Sequence, residues 1–244
     1  MDYAPTYDNF RQLIDAARKT HKVKKFTEVT PEDREFIVIR HDIEFDIEKA
    51  LKMAEVEKEI GVRSTYLVQI GSEAYNAFSD DNRYRLRRIA ELGHDVGLHY
   101  RQIGQCKRRE ETEIEIQLRA LQAMVPEAVR VFGCHRPRNG TAYHEYEVDG
   151  AINTYGQPFF YRTDNPILAK TRYISDSKWR WNYGEPIYQF FRDVPRVQFL
   201  THPFQWSAKG NPMGETFHRL EMYKRTELIA TFESEYERYA EILE

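Results

Sequence analysis

The chain has 244 residues, enough for one domain with a single substantial core, and its 36 basic against 39 acidic side chains leave a formal charge of −3. That balance offers no general positive field for nucleic acid, and no stretch has the length and apolarity of a membrane span. Two cysteines, Cys106 and Cys134, cannot build a disulfide framework or a Cys-rich zinc site, which points to a reducing compartment.

Met1-Asp2-Tyr3-Ala4-Pro5 lacks the charged-then-apolar run of a signal peptide, so a cytoplasmic location is expected. The spacing of Phe10, Leu13, Ile14 and Ala17 predicts an amphipathic helix from Asp8 to Lys19. A basic stretch, His21 to Lys25, leads to the first buried strand, Phe36 to Arg40. A helix follows from Ile47 to Ile60, with Ile47, Ala50, Leu51 and Ala54 on its apolar face, Asp46 as its cap and Gly61 as its stop. Then come a strand from Ser64 to Ile70, a basic-faced helix from Asn82 to Leu92, and a strand from Asp95 to Leu98. A helix from Glu110 to Val125 carries Ile114, Leu118, Leu121 and Val125 at core spacing.

Beyond Pro137 the pattern loosens into aromatic, Pro- and Gly-rich segments up to Trp181. Further strands are expected at Val129–Phe132, Thr171–Ile174 and Val197–Leu200, and a long amphipathic helix between Glu215 and the end. No repeat or linker divides the chain, so residues 1–244 read as one domain. Alternating strands and helices indicate α/β with a parallel sheet, and the irregular second half suits an incomplete barrel better than an ordered eight-fold one.

Five of the short apolar runs end in a carboxylate or a histidine: Asp42 after the first, then His99, His135 with Arg136, Asp176, and His202. In parallel α/β folds the carboxyl ends of the strands converge on one face, where ligands bind, so these side chains are expected at a single site. Asp42 and Glu44 are two apart, and a strand reaching Glu44 turns both to one face. His41 then points behind the site. His94, five residues from His99, points to the opposite face and reads as structural. Cys134 reads as a packed bystander.

The ordered strings Arg40-His41-Asp42-Ile43-Glu44, Gly93-His94-Asp95-Val96-Gly97-Leu98-His99, His135-Arg136-Pro137-Arg138-Asn139-Gly140, Ile174-Ser175-Asp176-Ser177 with Trp179, and Leu200-Thr201-His202-Pro203 resemble the polysaccharide deacetylase family. They are most similar to its divergent Arg-His-Asp-x-Asp branch. The resemblance spans Arg40 to Pro203, about two-thirds of the chain. It implies a distorted (β/α) barrel with outer helices and a metal-dependent hydrolase that removes an N-acyl group from an amino sugar or glycan precursor.

It also implies roles. A divalent metal, expected to be zinc, sits on Glu44 and His99. Asp42 is the base, held by Arg136; His202 is the acid, oriented by Asp176; Trp179 and Leu200 line a pocket for the acyl methyl. Two positions depart from the pattern: Glu44 stands where Asp is usual, and Ile103 stands four residues after His99, where a second ligand histidine is expected. His135 is the candidate third ligand, with a satisfied, hydrogen-bonded histidine as the other reading. Replacing Ile103 with His should raise zinc affinity if the turn after His99 is helical. The competing reading is a catalytically silent carbohydrate-binding protein on the same barrel.

Overall fold

The computed structural model describes residues 4–138, 141, 143–160, 171–182 and 194–236. Among the described residues there are eight strands: β1 (Lys22–Lys24), β2 (Phe36–Ile43), β3 (Thr65–Val68), β4 (Asp95–Arg101), β5 (Val131–His135), β6 (Ile152–Asn153), β7 (Thr171–Ser175) and β8 (Arg196–Thr201). All pair in parallel, in the order β6-β5-β4-β3-β2-β8-β7, with β1 beside the start of β2. The described α-helices are α1 (Tyr7–Arg18), α2 (Ile47–Glu59), α3 (Asp80–Glu91), α4 (Lys107–Met124) and α5 (Met213–Glu235), and three short 3-10 turns lie at Phe26–Glu28, Tyr143–Glu145 and Pro203–Gln205.

β2 shows how the sequence directs the layers. All eight of its residues are buried, which requires cover on both faces. Ile37, Ile39 and Ile43 pack with Phe10, Leu13 and Ile14 of α1 and with Ala50, Met53 and Ala54 of α2. The alternate residues Phe36 and Val38 join Phe26, Leu67, Val131 and Phe159 in a second, smaller apolar cluster inside the curl. Farther along the same inner face, Arg40 and Asp42 replace apolar side chains. The inner layer therefore changes from apolar to charged as β2 runs toward its carboxyl end.

Hydrogen bonds across the interior show that the sheet curls. Arg40 Nη1 on β2 donates to Thr154 Oγ1 at 3.0 Å, and Gln198 Nε2 on β8 donates to the Thr154 carbonyl at 2.8 Å. Thr154 follows β6, an edge strand three strands removed from β2 in the sheet order. Among the described residues β6 and β7 do not pair, so the barrel is distorted and incompletely closed, with helices outside it.

The helices follow their sequence signals closely. Thr6 Oγ1 accepts from Asn9 N at 3.0 Å and starts α1. Asp46 Oδ1 accepts from Glu48 N at 2.8 Å and Lys49 N at 3.2 Å and starts α2. The core positions expected on α1 and α4 are buried. Two expectations change. The basic stretch contains β1, whose three residues pair with Phe36, Ile37 and Val38. The long C-terminal helix does not bury an amphipathic face, for Thr216 is the one buried residue of its described length.

Candidate active site

β2 delivers two carboxylates to the mouth of the barrel. Asp42 lies within the strand and Glu44 just beyond it, and both turn to the inner side, as their spacing requires. β4 supplies His99 and β5 supplies His135 as its last residue. Asp176 stands one residue past β7, and His202 one residue past β8. All six therefore sit at the carboxyl ends of parallel strands around one cleft.

Three of them form a candidate metal centre. Glu44 Oε1 lies 3.1 Å from His135 Nδ1, and His135 Nδ1 lies 3.0 Å from His99 Nε2. One ligand atom from each of Glu44, His99 and His135 falls within 4.8 Å of the others. Ligands about 2.0–2.1 Å from a tetrahedral ion stand about 3.3 Å apart, so two edges of this triangle are close to coordination geometry. The donor chemistry also fits. His99 Nδ1–H donates to the Gly133 carbonyl at 3.2 Å, which leaves its Nε2 lone pair facing the cluster. Burial pushes His99 down to about 4 and keeps it neutral, while the Asp42 carboxylate only partly offsets that effect. Burial raises Glu44, but the His135 hydrogen bond and the neighbouring histidines outweigh it and hold the carboxylate at about 2. An ionised carboxylate and at least one oriented neutral imidazole are what a divalent ion needs.

The partner of Asp42 corrects one expectation. Arg136 is exposed just beyond β5 and does not hold Asp42. Arg40 does, donating from Nε to Oδ1 at 2.7 Å and from Nη2 to Oδ2 at 2.8 Å. The guanidinium is fully buried, so this fork-to-carboxylate geometry offsets the cost of desolvating both charges. Its third nitrogen, Nη1, donates to Thr154 Oγ1 and, at 3.4 Å, to Gln198 Oε1, and its face lies 4.8 Å from the Tyr155 ring centre. Gly133 makes room for it: an added Cβ there would sit 2.7 Å from Arg40 Nη2 and 2.5 Å from Thr154 Oγ1. Burial works against ionisation of Asp42, yet Arg40, with His99 and His202, keeps it below the usual carboxylate range.

His202 and Asp176 form the second half of the site. His202 Nδ1–H donates to Asp176 Oδ1 at 2.6 Å, and Trp206 Nε1 donates to Asp176 Oδ2 at 2.8 Å. Burial alone pulls the imidazole down, but Asp176, with Glu44 and Asp42, more than compensates and lifts it to about 9. His202 Nε2 stands 3.9 Å from Glu44 Oε1, so a protonated nitrogen faces the candidate metal centre.

Ile103 explains how the expected second histidine position is lost. The chain after β4 is a loop, with α4 starting only at Lys107, and Ile103 is 47% exposed. Buried Glu110 shapes that loop by accepting from Ile103 N at 3.2 Å, Gly104 N at 2.8 Å, Gln105 N at 2.8 Å and the Tyr100 hydroxyl. The turn is not helical, so the condition under which a histidine at this position adds a ligand is not met.

Leu200 is buried on the inner face, in register with Arg40. Trp179 packs against Phe204 and Phe217, their ring centres 6.0 and 5.7 Å away, and Phe45 joins both phenylalanines. Sequence reasoning missed Phe45, Phe204 and Phe217 because they carry no motif of their own. It also missed Arg40, although period-two alternation with Asp42 was a usable signal.

His41 and His94 lie behind the site. His41 Nε2–H donates to Glu57 Oε1 at 2.9 Å, and His94 takes the Ser64 N–H on Nδ1 at 3.1 Å. Cys134 is buried, and burial pushes its thiol up to about 12, so it packs and does not act as a nucleophile.

No protein-family model and no curated protein matches the sequence. Solved structures similar to the chain include a peptidoglycan deacetylase of Bdellovibrio bacteriovorus, at 16% identity over 84% of this chain and 53% of that one, with a TM-score of 0.47. A family 4 carbohydrate esterase pseudoenzyme from Bacillus anthracis shares 14% identity over 80% of this chain and 63% of its own, with a TM-score of 0.42. A family 4 acetyl xylan esterase from Clostridium thermocellum, in complex with a cobalt ion, shares 14% identity over 78% of this chain and 84% of its own, with a TM-score of 0.40. The chain thus spans about half the length of the first and just under two-thirds of the second.

Proposed function

We propose that the chain is a metal-dependent hydrolase that removes an N-acyl group, acetyl in the simplest case, from an amino sugar or a glycan precursor. One observation carries this reading. The Glu44–His99–His135 triangle faces His202 across a 3.9 Å gap, with Asp42 alongside at 3.6 Å from His99 Nε2. Glu44, His99 and His135 would hold the ion, for which zinc suits the Glu-His-His donor set. When bound there, it supplies Lewis acidity, polarising an acyl carbonyl and making a water acidic enough to lose its proton near neutral pH.

The protein's own residues then divide the proton work. Asp42, kept ionised and fixed in direction by Arg40, accepts the proton of the attacking water. His202 carries a proton at Nε2 and gives it to the departing sugar nitrogen, while Asp176 holds the ring by Nδ1 and stabilises its charge. Trp179 and Leu200 belong to the apolar side of the acyl site. Among the described residues no helix is long and apolar enough to cross a membrane. A cytoplasmic setting, with soluble or carrier-linked sugar intermediates as substrates, accords with the cysteine usage.

The test combines metal content with amine release. Purified protein loaded with zinc should hold about one ion per chain, and Glu44→Ala, His99→Ala and His135→Ala should each weaken that binding at least tenfold. Loaded wild type should release amine from N-acetylated sugars, and His202→Ala should lose most of that turnover without losing metal. Tight stoichiometric metal that survives all three ligand substitutions would overturn the assignment. So would a protein that binds sugars but releases no amine with any divalent ion.

A further inference from the structure

The carboxyl end of the barrel carries more cationic charge than the chemistry above uses. Arg101 closes β4, and Arg136 and Arg138 follow β5; all three are exposed. Arg101 pairs in register with His135, so both side chains start from the inner face of the sheet. The Arg138 guanidinium lies over the loop after β4, where a Cβ added at Gly104 would be 2.5 Å from its Nη1. Arg101 has a carboxylate neighbour, Glu73 at 3.4 Å, and both side chains are mostly exposed. Among the described residues no ion pair engages Arg136 or Arg138. Arg40 has taken the carboxylate that Arg136 was expected to hold.

The backbone marks the same place. The three non-glycine residues with positive φ among those described are Arg136 at 44°, Lys178 at 63° and Trp179 at 55°. They stand one to three residues past His135 and Asp176, two side chains of the site. Left-handed backbone at bulky residues is costly, and such conformations concentrate where ligands are clamped. Of the carboxylates at this end, Asp42 is held by Arg40, Asp176 by His202 and Trp206, Glu44 by His135 and Asp46 by the first turn of α2, while Glu73 lies beside Arg101.

We propose that the substrate is a phosphorylated amino sugar, with Arg136, Arg138 and Arg101 taking the phosphate on the β4–β5 side of the cleft while the acyl nitrogen reaches His202. The proposal rests on the deacylase reading. A guanidinium presents paired donors that match phosphate oxygens, and three of them suit a doubly charged phosphate ester better than a single carboxylate.

Calorimetry on the zinc-loaded protein separates this proposal from the reading it rests on, because binding needs no turnover. N-acetylglucosamine, its 1-phosphate, its 6-phosphate and inorganic phosphate serve as probes. At least one of the two sugar phosphates should bind ten or more times tighter than the neutral sugar, and its advantage should shrink as salt is raised. Arg136→Ala with Arg138→Ala should remove most of the advantage, and Arg136→Lys should recover only part of it. Both side chains are exposed, and thermal melts will verify that the variants stay folded. Equal binding of neutral and phosphorylated sugars would overturn the proposal, as would inorganic phosphate binding as tightly as the sugar phosphates. Amine release is scored separately. Release from neutral sugars without phosphate preference defeats the phosphate proposal alone, whereas phosphate preference without any release defeats the deacylase reading.

Discussion

At the scale of single residues, the site depends on which charges are held and by what. Asp176 is the clearest case. Its carboxylate accepts His202 Nδ1–H, the His202 backbone N–H and the Trp206 indole N–H, and it keeps the imidazole at about 9 against the pull of burial. Because the folded value is raised, the pair stabilises the fold fully below the unfolded pKa near 6.5. That stabilisation is lost as pH rises through about 9. Asp176→Asn should lower the His202 pKa by more than about one unit, since the ionic partner goes while the burial remains. The alkaline limb of turnover should move down with it, and an imidazole titration by NMR should show the same displacement. A limb that stays in place would mean that Asp176 does not hold that proton. The contrast with Asp42 is instructive. Its carboxylate is tied on both oxygens to a buried guanidinium, so Asp42→Asn removes half of a buried ion pair as well as the proposed base. Loss of activity in that variant is informative only when its stability is measured alongside.

Elements decide which residues can reach the site at all. His99 near the end of β4 and Ile103 beyond it are four residues apart, a separation that brings two side chains within reach of one ion only when the chain between them is helical. Glu110, at the start of α4, instead gathers the backbone N–H groups of Ile103, Gly104 and Gln105 and holds the segment as a loop. Ile103→His should therefore leave zinc affinity unchanged within about threefold, as read by competition with a chelating dye. A tenfold gain would show that the loop rewinds. β5 compensates by ending on His135, whose Nδ1 also lies 3.2 Å from Gln69 Nε2 beyond β3. The third member of the candidate triangle thus comes from a neighbouring strand, and the triangle needs no helical turn.

Across the whole molecule, the cleft is braced from behind by a buried polar network that no motif announces. Glu57 of α2 accepts from His41 on β2, from Ser64 before β3 at 2.6 Å and from the Tyr66 hydroxyl on β3 at 2.8 Å. His41 Nδ1 in turn accepts from Thr201 on β8 at 2.7 Å. These bonds tie β2 to β8 directly behind Asp42 and His202. Glu57→Gln should cost about 3 kcal/mol in urea unfolding, because it replaces a buried anion that satisfies three donors with an amide that brings donors of its own. A cost below about 0.5 kcal/mol, the level of an ordinary surface change, would show that the brace is not needed.

The sequence alone determined the parallel α/β order, the buried strands, the helix caps and the strand ends that carry Asp42, Glu44, His99, His135, Asp176 and His202. Those features follow from local rules: period-two burial, helical spacing, capping side chains and the polarity of parallel strands. Tertiary structure decided the rest, for reasons that local rules cannot contain. Arg40, not Arg136, pairs with Asp42 because the curl of the sheet brings Thr154 and the bare Cα of Gly133 against the guanidinium. His135 completes the candidate metal triangle because β4 and β5 are neighbours with His99 beside Gly133 and Arg101 beside His135. Both outcomes depend on contacts between residues far apart in the chain, whose distances exist only once the barrel has closed around them.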